Sequence, residues 1–466
     1  MSVKKGKIVD LYITDIAFGG KGLAKPDGFA VFVDRAVPED VVRARIVRKK
    51  KNYAEARILE FIRPSPHRVK APCPYVGWCG GCKWQDVHYD AQLEFKQRHV
   101  EDALRHIGLM DRVNVHSTIP SHDQFHYRNK MEFSCSDRRW LLPEEMDRPD
   151  IDRTFAIGLH VPGTFSKVLD TRVCYLQPEL GNRILEVVRD HMKSSGLPAY
   201  GLRSHNGFWR FLVLRHSWAY DQWMVNILTA SEDSNAVNPL AEKLRKEFPE
   251  VVSVINSITS KKAGVAVGEF EVMLSGSNTI RDRIADFEFE ISAHSFFQTN
   301  TRGAAVLYDT VRRFAELGGD ETVLDLYSGT GTIAIFLSAS ATSVVGMEVV
   351  DSAVADAQRN CRLNNIENCR FIKGDVRQAL SEITDPPDVM IIDPPRAGMH
   401  KDVLKQVMTL APQKVVYVPC NPATLARDLG VMKEIYSVHE VQPVDMFPHT
   451  YHIVRTGDKG DTCSET

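Results

Sequence analysis

The sequence has no run of the roughly 18 apolar residues needed to cross a bilayer, so no membrane-spanning helix is expected. Its first ten residues carry lysines but neither the apolar core nor the small-residue cleavage site of an export signal. A reducing cytosol is therefore the expected compartment. There, the nine cysteines are explained by metal binding, catalysis or burial rather than by disulfides. Internal repeats are absent. An excess of one charge is also lacking overall, since 58 Lys and Arg face 60 Asp and Glu for a formal net charge of −2. At 466 residues the chain exceeds what one hydrophobic core usually organises, which implies two or three domains.

What charge there is, is unevenly placed. Residues 1–70 hold sixteen Lys or Arg against eight Asp or Glu, including the run Arg48, Lys49, Lys50, Lys51. A polyanion such as RNA suits that excess. In the same stretch, residues 8–13, 29–33, 41–48 and 53–61 alternate polar with Val, Ile or aromatic residues. Glycine and proline turns separate them, which predicts an OB-like antiparallel β-barrel over 1–66 ending at Arg63-Pro64-Ser65-Pro66. Residues 67–285 mix strands (211–214, 224–228) with helices (180–193) and read as an α+β middle domain. From 286 to 455 apolar strands alternate with helices: strands at 322–326, 343–348, 389–393 and 415–419, helices at 333–339 and 352–363. This predicts a doubly wound α/β, Rossmann-like domain. Residues 456–466 are polar and read as a disordered tail.

Three segments carry chemistry. In Asp325-Leu326-Tyr327-Ser328-Gly329-Thr330-Gly331, a carboxylate ends a strand and two glycines open a helix, where backbone can approach a ligand closely. Glu348 ends the next strand, placed to take the two ribose hydroxyls of an adenosine. The same letters fit a dinucleotide fingerprint. Asp325 favours S-adenosylmethionine (SAM), because a carboxylate there would face the diphosphate of a nicotinamide cofactor but can meet the ammonium of SAM. At the ends of later strands stand Asp393-Pro394-Pro395-Arg396-Ala397-Gly398 and Pro419-Cys420-Asn421-Pro422. A cysteine between prolines at a strand end is a candidate nucleophile. Uracil C5 is too weak a nucleophile to take a methyl group from SAM unless a thiolate first adds at C6. Cys420 fits that need, with Asp393 placed to hold the base. An amino-group methylase would carry a stacking aromatic where Arg396 stands, and a cytosine-C5 methylase a second cysteine after the prolines. Finally, Cys73, Cys79 and Cys82 lie within ten residues, and Cys174 is the best fourth thiolate for an iron–sulfur cluster or zinc.

Together with the glycine-rich turn at 18–22, Tyr127-Arg128-Asn129-Lys130 and Ser295-Phe296-Phe297-Gln298-Thr299-Asn300, these segments resemble the RNA 5-methyluridine methyltransferase family. The likeness is greatest to 23S ribosomal RNA members with an N-terminal TRAM domain and a 4Fe-4S cluster, and it covers nearly the whole chain. The resemblance implies SAM contacts from Gln298, Asp325, Tyr327, Gly329, Gly331, Glu348, Asp375 and Asp393, with Cys420 as nucleophile. It also implies RNA contacts from Arg128 and Lys130, a cluster on Cys73, Cys79, Cys82 and Cys174, and action as a monomer. One position departs. The family closes on Pro-His-Thr-x-His-x-Glu, whose glutamate removes the proton, whereas this chain has Val454 there. Substitution by His449, His452, Asp445 or water is one outcome. An RNA-binding or ribosome-assembly protein with impaired catalysis is another, and transfer RNA is the alternative substrate.

Overall fold

Three β-systems, each drawn mainly from a different stretch of sequence, position the functional residues in this computed structural model. It describes residues 3–462, with side chains described to Val454. The first is a six-stranded sheet in the order Ile8–Tyr12, Val41–Lys49, Tyr53–Arg63, Ala30–Asp34, Lys21–Ala24, Asp15–Ala17. Side chains alternate across a strand, so Val42, Ala44 and Ile46 enter the core while Arg43, Arg45 and Val47 face out. The hairpin of Asp15–Ala17 with Lys21–Ala24 has strands too short for alternation to reveal. Beyond this sheet the proline-rich joint is clamped by Asp40. This fully buried carboxylate accepts the amides of Val37 (2.8 Å) and Ser65 (2.9 Å) and pairs with Arg68 (2.6 Å).

The second system is a six-stranded sheet in the order Ala156–Gly158, Lys130–Ser136, Trp209–His216, Trp223–Thr229, Val251–Ile258, Phe270–Gly276. Helices Glu179–Ser194 and Ser234–Glu247 share its hydrophobic cluster. Strands Trp209–His216 and Trp223–Thr229 are buried at every residue, as expected where both faces of a sheet are covered.

The third system has eight strands in the order Cys369–Lys373, Ser343–Glu348, Thr322–Leu326, Val389–Ile392, Lys414–Tyr417, Val454–Thr462, Tyr436–Val444, Asn114–Val115. The first five are parallel, Val454–Thr462 runs antiparallel to them, and Tyr436–Val444, antiparallel to that strand, returns to their direction. The chain runs outward from Thr322–Leu326 to one edge and returns on its other side at Val389–Ile392. The crevice at the carboxyl ends of those two strands is thus a topological switch point, where such sheets bind ligands. Among the described residues, no helix is long and apolar enough to cross a membrane.

Two features differ from expectation. Helix Tyr89–His106 packs Val100, Ala103 and Leu104 into the cluster of Leu326, Ile392, Leu425 and Leu429, and Asn114–Val115 supplies the last strand of the third sheet. Part of the stretch read as a middle domain therefore belongs to the C-terminal core, because periodicity reveals a buried face but not its partner. Residues 456–462, read as a disordered tail, form most of strand Val454–Thr462 between two antiparallel neighbours. Composition reports side chains, whereas a strand flanked on both sides is held by its backbone. Residues 463–466 lie outside the described residues.

Candidate active site

Asp325 sits on strand Thr322–Leu326 of the third sheet, wholly buried, and among the described residues neither of its carboxylate oxygens has a hydrogen-bond partner. Burial, then the charge of Asp393, hold its carboxyl well above the usual range, and the nearby Ala334 amide offsets only part of this. A buried, unsatisfied carboxylate is costly unless a ligand supplies the missing donors. An ammonium group would do so. Tyr327, two residues on, has φ 63°, a left-handed conformation rare for a bulky residue, at the turn where the chain leaves the sheet. Gly331 (φ 76°) opens helix Thr332–Leu337, and a Cβ there would lie 2.6 Å from Phe371 Cζ and 2.9 Å from Ala357 Cβ. Glu348 accepts the amides of Gly329 (3.0 Å) and Val350 (2.8 Å), which ties the end of its strand to the glycine loop. Asp375 caps helix Val376–Ala379 through the Arg377 amide (3.0 Å), and the Arg377 guanidinium lowers its carboxyl to about 2.

Asp393 follows strand Val389–Ile392. It is half-buried, and loss of hydration raises its carboxyl to about 7. Cys420, also half-buried, lies between strand Lys414–Tyr417 and helix Pro422–Met432. Asn421 caps that helix through the Ala423 amide (3.0 Å) and donates to Arg396 O (3.4 Å). Asp428 ties the two motifs together more firmly, accepting from the Met399 amide (3.1 Å), Tyr417 Oη (2.5 Å) and Arg427 Nε (2.7 Å). The structure therefore brings the Asp393 and Cys420 segments to the same end of the same sheet as Asp325.

Gln298 is fixed through its backbone, because buried Asn129 donates to Gln298 O (2.8 Å) and Thr301 Oγ1 (2.8 Å). Arg128 and Lys130 flank Asn129 and line a cleft of about 530 Å³ together with His160, Phe296 and Thr299. Arg128 Nε donates to Lys130 O (2.9 Å), and Lys130 pairs with Glu132 (2.6 Å). Phe296 is 64% exposed. Its carbonyl accepts from Thr330 Oγ1 (2.9 Å), so the cleft adjoins the glycine loop.

Comparison with known proteins agrees with this geometry. Residues 228–457 match the tRNA (Uracil-5-)-methyltransferase family model and residues 2–59 the TRAM domain. An uncharacterized RNA methyltransferase of Chlorobaculum tepidum is 44% identical over 97% of this chain and 95% of its own. One of Bacteroides thetaiotaomicron is 40% identical over 94% and 98%. The chain belongs to the RNA uracil-5-methyltransferase family. Its fold is also that of the Pyrococcus abyssi tRNA (uracil-54, C5)-methyltransferase, solved with S-adenosyl-L-homocysteine. The TM-score is 0.75 at 27% identity, covering 97% of this chain and 100% of that one. This methyltransferase is SAM-dependent and acts on RNA, which sets aside the nicotinamide reading of the glycine loop.

Four of the nine cysteines converge. Cys73, Cys79, Cys82 and Cys174 line one small cavity with Tyr75, Gln85 and Leu159. Burial raises Cys82 well above the usual thiol range and Cys79 to about 12; the hydrogen bond from the Gly81 amide to Cys79 Sγ (3.3 Å) works against the rise at Cys79, and the charges of the other cysteines add to it at both. Among the described residues, no group of His, Cys, Asp or Glu closes into a preformed metal-binding set.

Three contributors escaped sequence reasoning as site residues. Asn129, Asp428 and Lys96, which pairs with Asp445 (2.5 Å, both side chains fully buried), hold the site's walls. Of the three only Asn129 had a signal, its place between two basic residues.

Proposed function

We propose that this enzyme methylates C5 of a uridine in a structured RNA through a covalent Cys420 adduct at C6. The observation that carries this reading is the convergence of Cys420 and Asp393 on the crevice where Asp325 lies buried without a partner. Asp325 would meet the ammonium of SAM, Glu348 the ribose, and Gly329 and Gly331 the close backbone approach, with Gln298, Tyr327 and Asp375 completing the pocket. SAM supplies the methyl group as an activated sulfonium. The thiolate of Cys420 adds to C6 and gives C5 enolate character. Asp393 hydrogen-bonds the ring and selects the form that accepts addition. Arg128 and Lys130 present the RNA at the cleft, and the outward-facing basic strands of the TRAM domain hold its backbone.

Labelled methyl transfer from SAM to RNA tests this. Cys420→Ala should abolish both the label and any gel-retarded protein–RNA species, and unchanged transfer would overturn the reading.

Ribosomal RNA, the 23S species, is the substrate this reading favours, on the basic N-terminal barrel, with the enzyme acting as a cytosolic monomer. Transfer RNA is the second reading, supported by the Pyrococcus enzyme's stated uracil-54 substrate. Mapping methylated nucleotides in RNA from cells with and without the protein decides between them. Cys73, Cys79, Cys82 and Cys174 fit the all-thiolate donor set of a 4Fe-4S cluster, or of zinc, and such a centre would be structural, bracing the wall of the RNA cleft. Iron and sulfide in equal amounts in anaerobically purified protein would support the cluster. Zinc alone would replace it.

A further inference from the structure

Methylation at C5 leaves a proton on that carbon, and the adduct cannot release its product until a base takes it. Val454, where the sequence offers no such group, is 6% exposed and packed into the apolar cluster that also contacts Cys420 and Phe447. The surrounding titratable groups can be sorted by what already engages them. Asp445 is fully buried and accepts from Lys96 Nζ (2.5 Å), Tyr89 Oη (3.0 Å) and the Phe447 amide (3.0 Å). His449 is 4% exposed, sealed against Phe125 at 4.3 Å between ring centroids and engaged with Gln92. Asp428 is 1% exposed and saturated. Asp393 is already taken up in this reading by its hydrogen bond to the uracil ring, on the side of the crevice where its charge acts on Asp325.

His452 differs from all of these. It stands two residues before Val454, half-buried, its ring tilted against Tyr451 (4.3 Å between centroids) and edge-on to Phe447 (6.3 Å). Among the described residues neither ring nitrogen has a hydrogen-bond partner; the backbone amide donates to Thr450 Oγ1 (3.2 Å). We propose that His452 is the base that removes the C5 proton, in place of the carboxylate missing at position 454. Burial, then the charges of Arg396, Lys96 and Arg128, lower its pKa to about 4, so the ring is neutral and able to accept. Phe447, to which His452 lies edge-on, packs against the same apolar cluster as Cys420, which places His452 beside the crevice.

The step balances. An imidazole nitrogen takes the C5 proton, the C–H electron pair restores C5=C6, the C6–S bond breaks, and Cys420 leaves as thiolate. The assignment rests on the covalent Cys420 reading, and one experiment separates the two. Wild type, His452→Ala, His452→Gln and Cys420→Ala are incubated with SAM and RNA from cells lacking the enzyme, then run on denaturing gels. His452→Ala and His452→Gln, each melting like wild type, should accumulate a SAM-dependent retarded band carrying the methyl label, with product release slowed about 100-fold or more. Added imidazole should discharge the band of His452→Ala. Turnover of His452→Gln at the wild-type rate without a trapped species overturns the role of His452. Continued methylation by Cys420→Ala overturns the covalent reading instead.

Discussion

At the scale of single residues, the crevice is built around carboxylates that are uncomfortable without a ligand. Asp393 keeps its proton in the folded protein up to about 7 against a usual 3.8. The native state therefore binds more protons than the unfolded chain between those values, and stability falls as pH rises through that window. The SAM-free enzyme should lose melting temperature over that range, and Asp393→Asn should flatten the loss in parallel thermal melts. Asp325 follows the same sign. Asp325→Asn should raise the melting temperature of SAM-free protein at neutral pH yet weaken SAM binding by about tenfold or more, a trade of stability for function readable by calorimetry. Asp325, Asp393 and Cys420 were legible because each is a reactive residue type at the end of an apolar strand. Asn129 and Asp428 were not, because holding a wall is done by polar residues that look like any other.

At the scale of elements, the helix opening at Gly331 and the helix Tyr89–His106 set the geometry. Gly331→Ala adds a left-handed penalty of about 1–2 kcal/mol to overpacking against Phe371 of about 1–3 kcal/mol. Denaturant unfolding should show the combined loss, and Phe371→Leu should recover part of it. The buried Lys96–Asp445 pair fastens helix Tyr89–His106 to the segment bearing His452. Lys96→Met leaves a buried carboxylate uncompensated and should cost about 3–5 kcal/mol, with the loss smaller when Asp445→Asn is added. The strands from 322 onward were readable because buried parallel strands are nearly continuous apolar runs. The placement of Tyr89–His106 was not readable, since the strands it packs on lie more than two hundred residues away in sequence.

At the scale of the molecule, the TRAM domain meets the segment bearing His452 directly. Phe18, at its glycine-rich turn, lies 5.3 Å from the ring of Tyr451, which is tilted against His452. The domain that carries the outer basic strands is thereby joined to that segment. Arg45, Arg48 and Lys50 are exposed there. Replacing all three with alanine should lower the slope of log affinity against log salt by about 2–3, measured by filter binding. The barrel, the α+β region and the doubly wound sheet were all foreseeable in kind from strand spacing, while the interleaving of one with another was not. That interleaving bears on biosynthesis. Helix Tyr89–His106 leaves the ribosome long before helix Pro422–Met432, which covers it. Throughout most of translation Val100, Ala103 and Leu104 lack the strands and helix they lie against, and Lys96 its counter-ion. The nascent chain should therefore seek chaperone shelter, maturing only when its final hundred residues arrive.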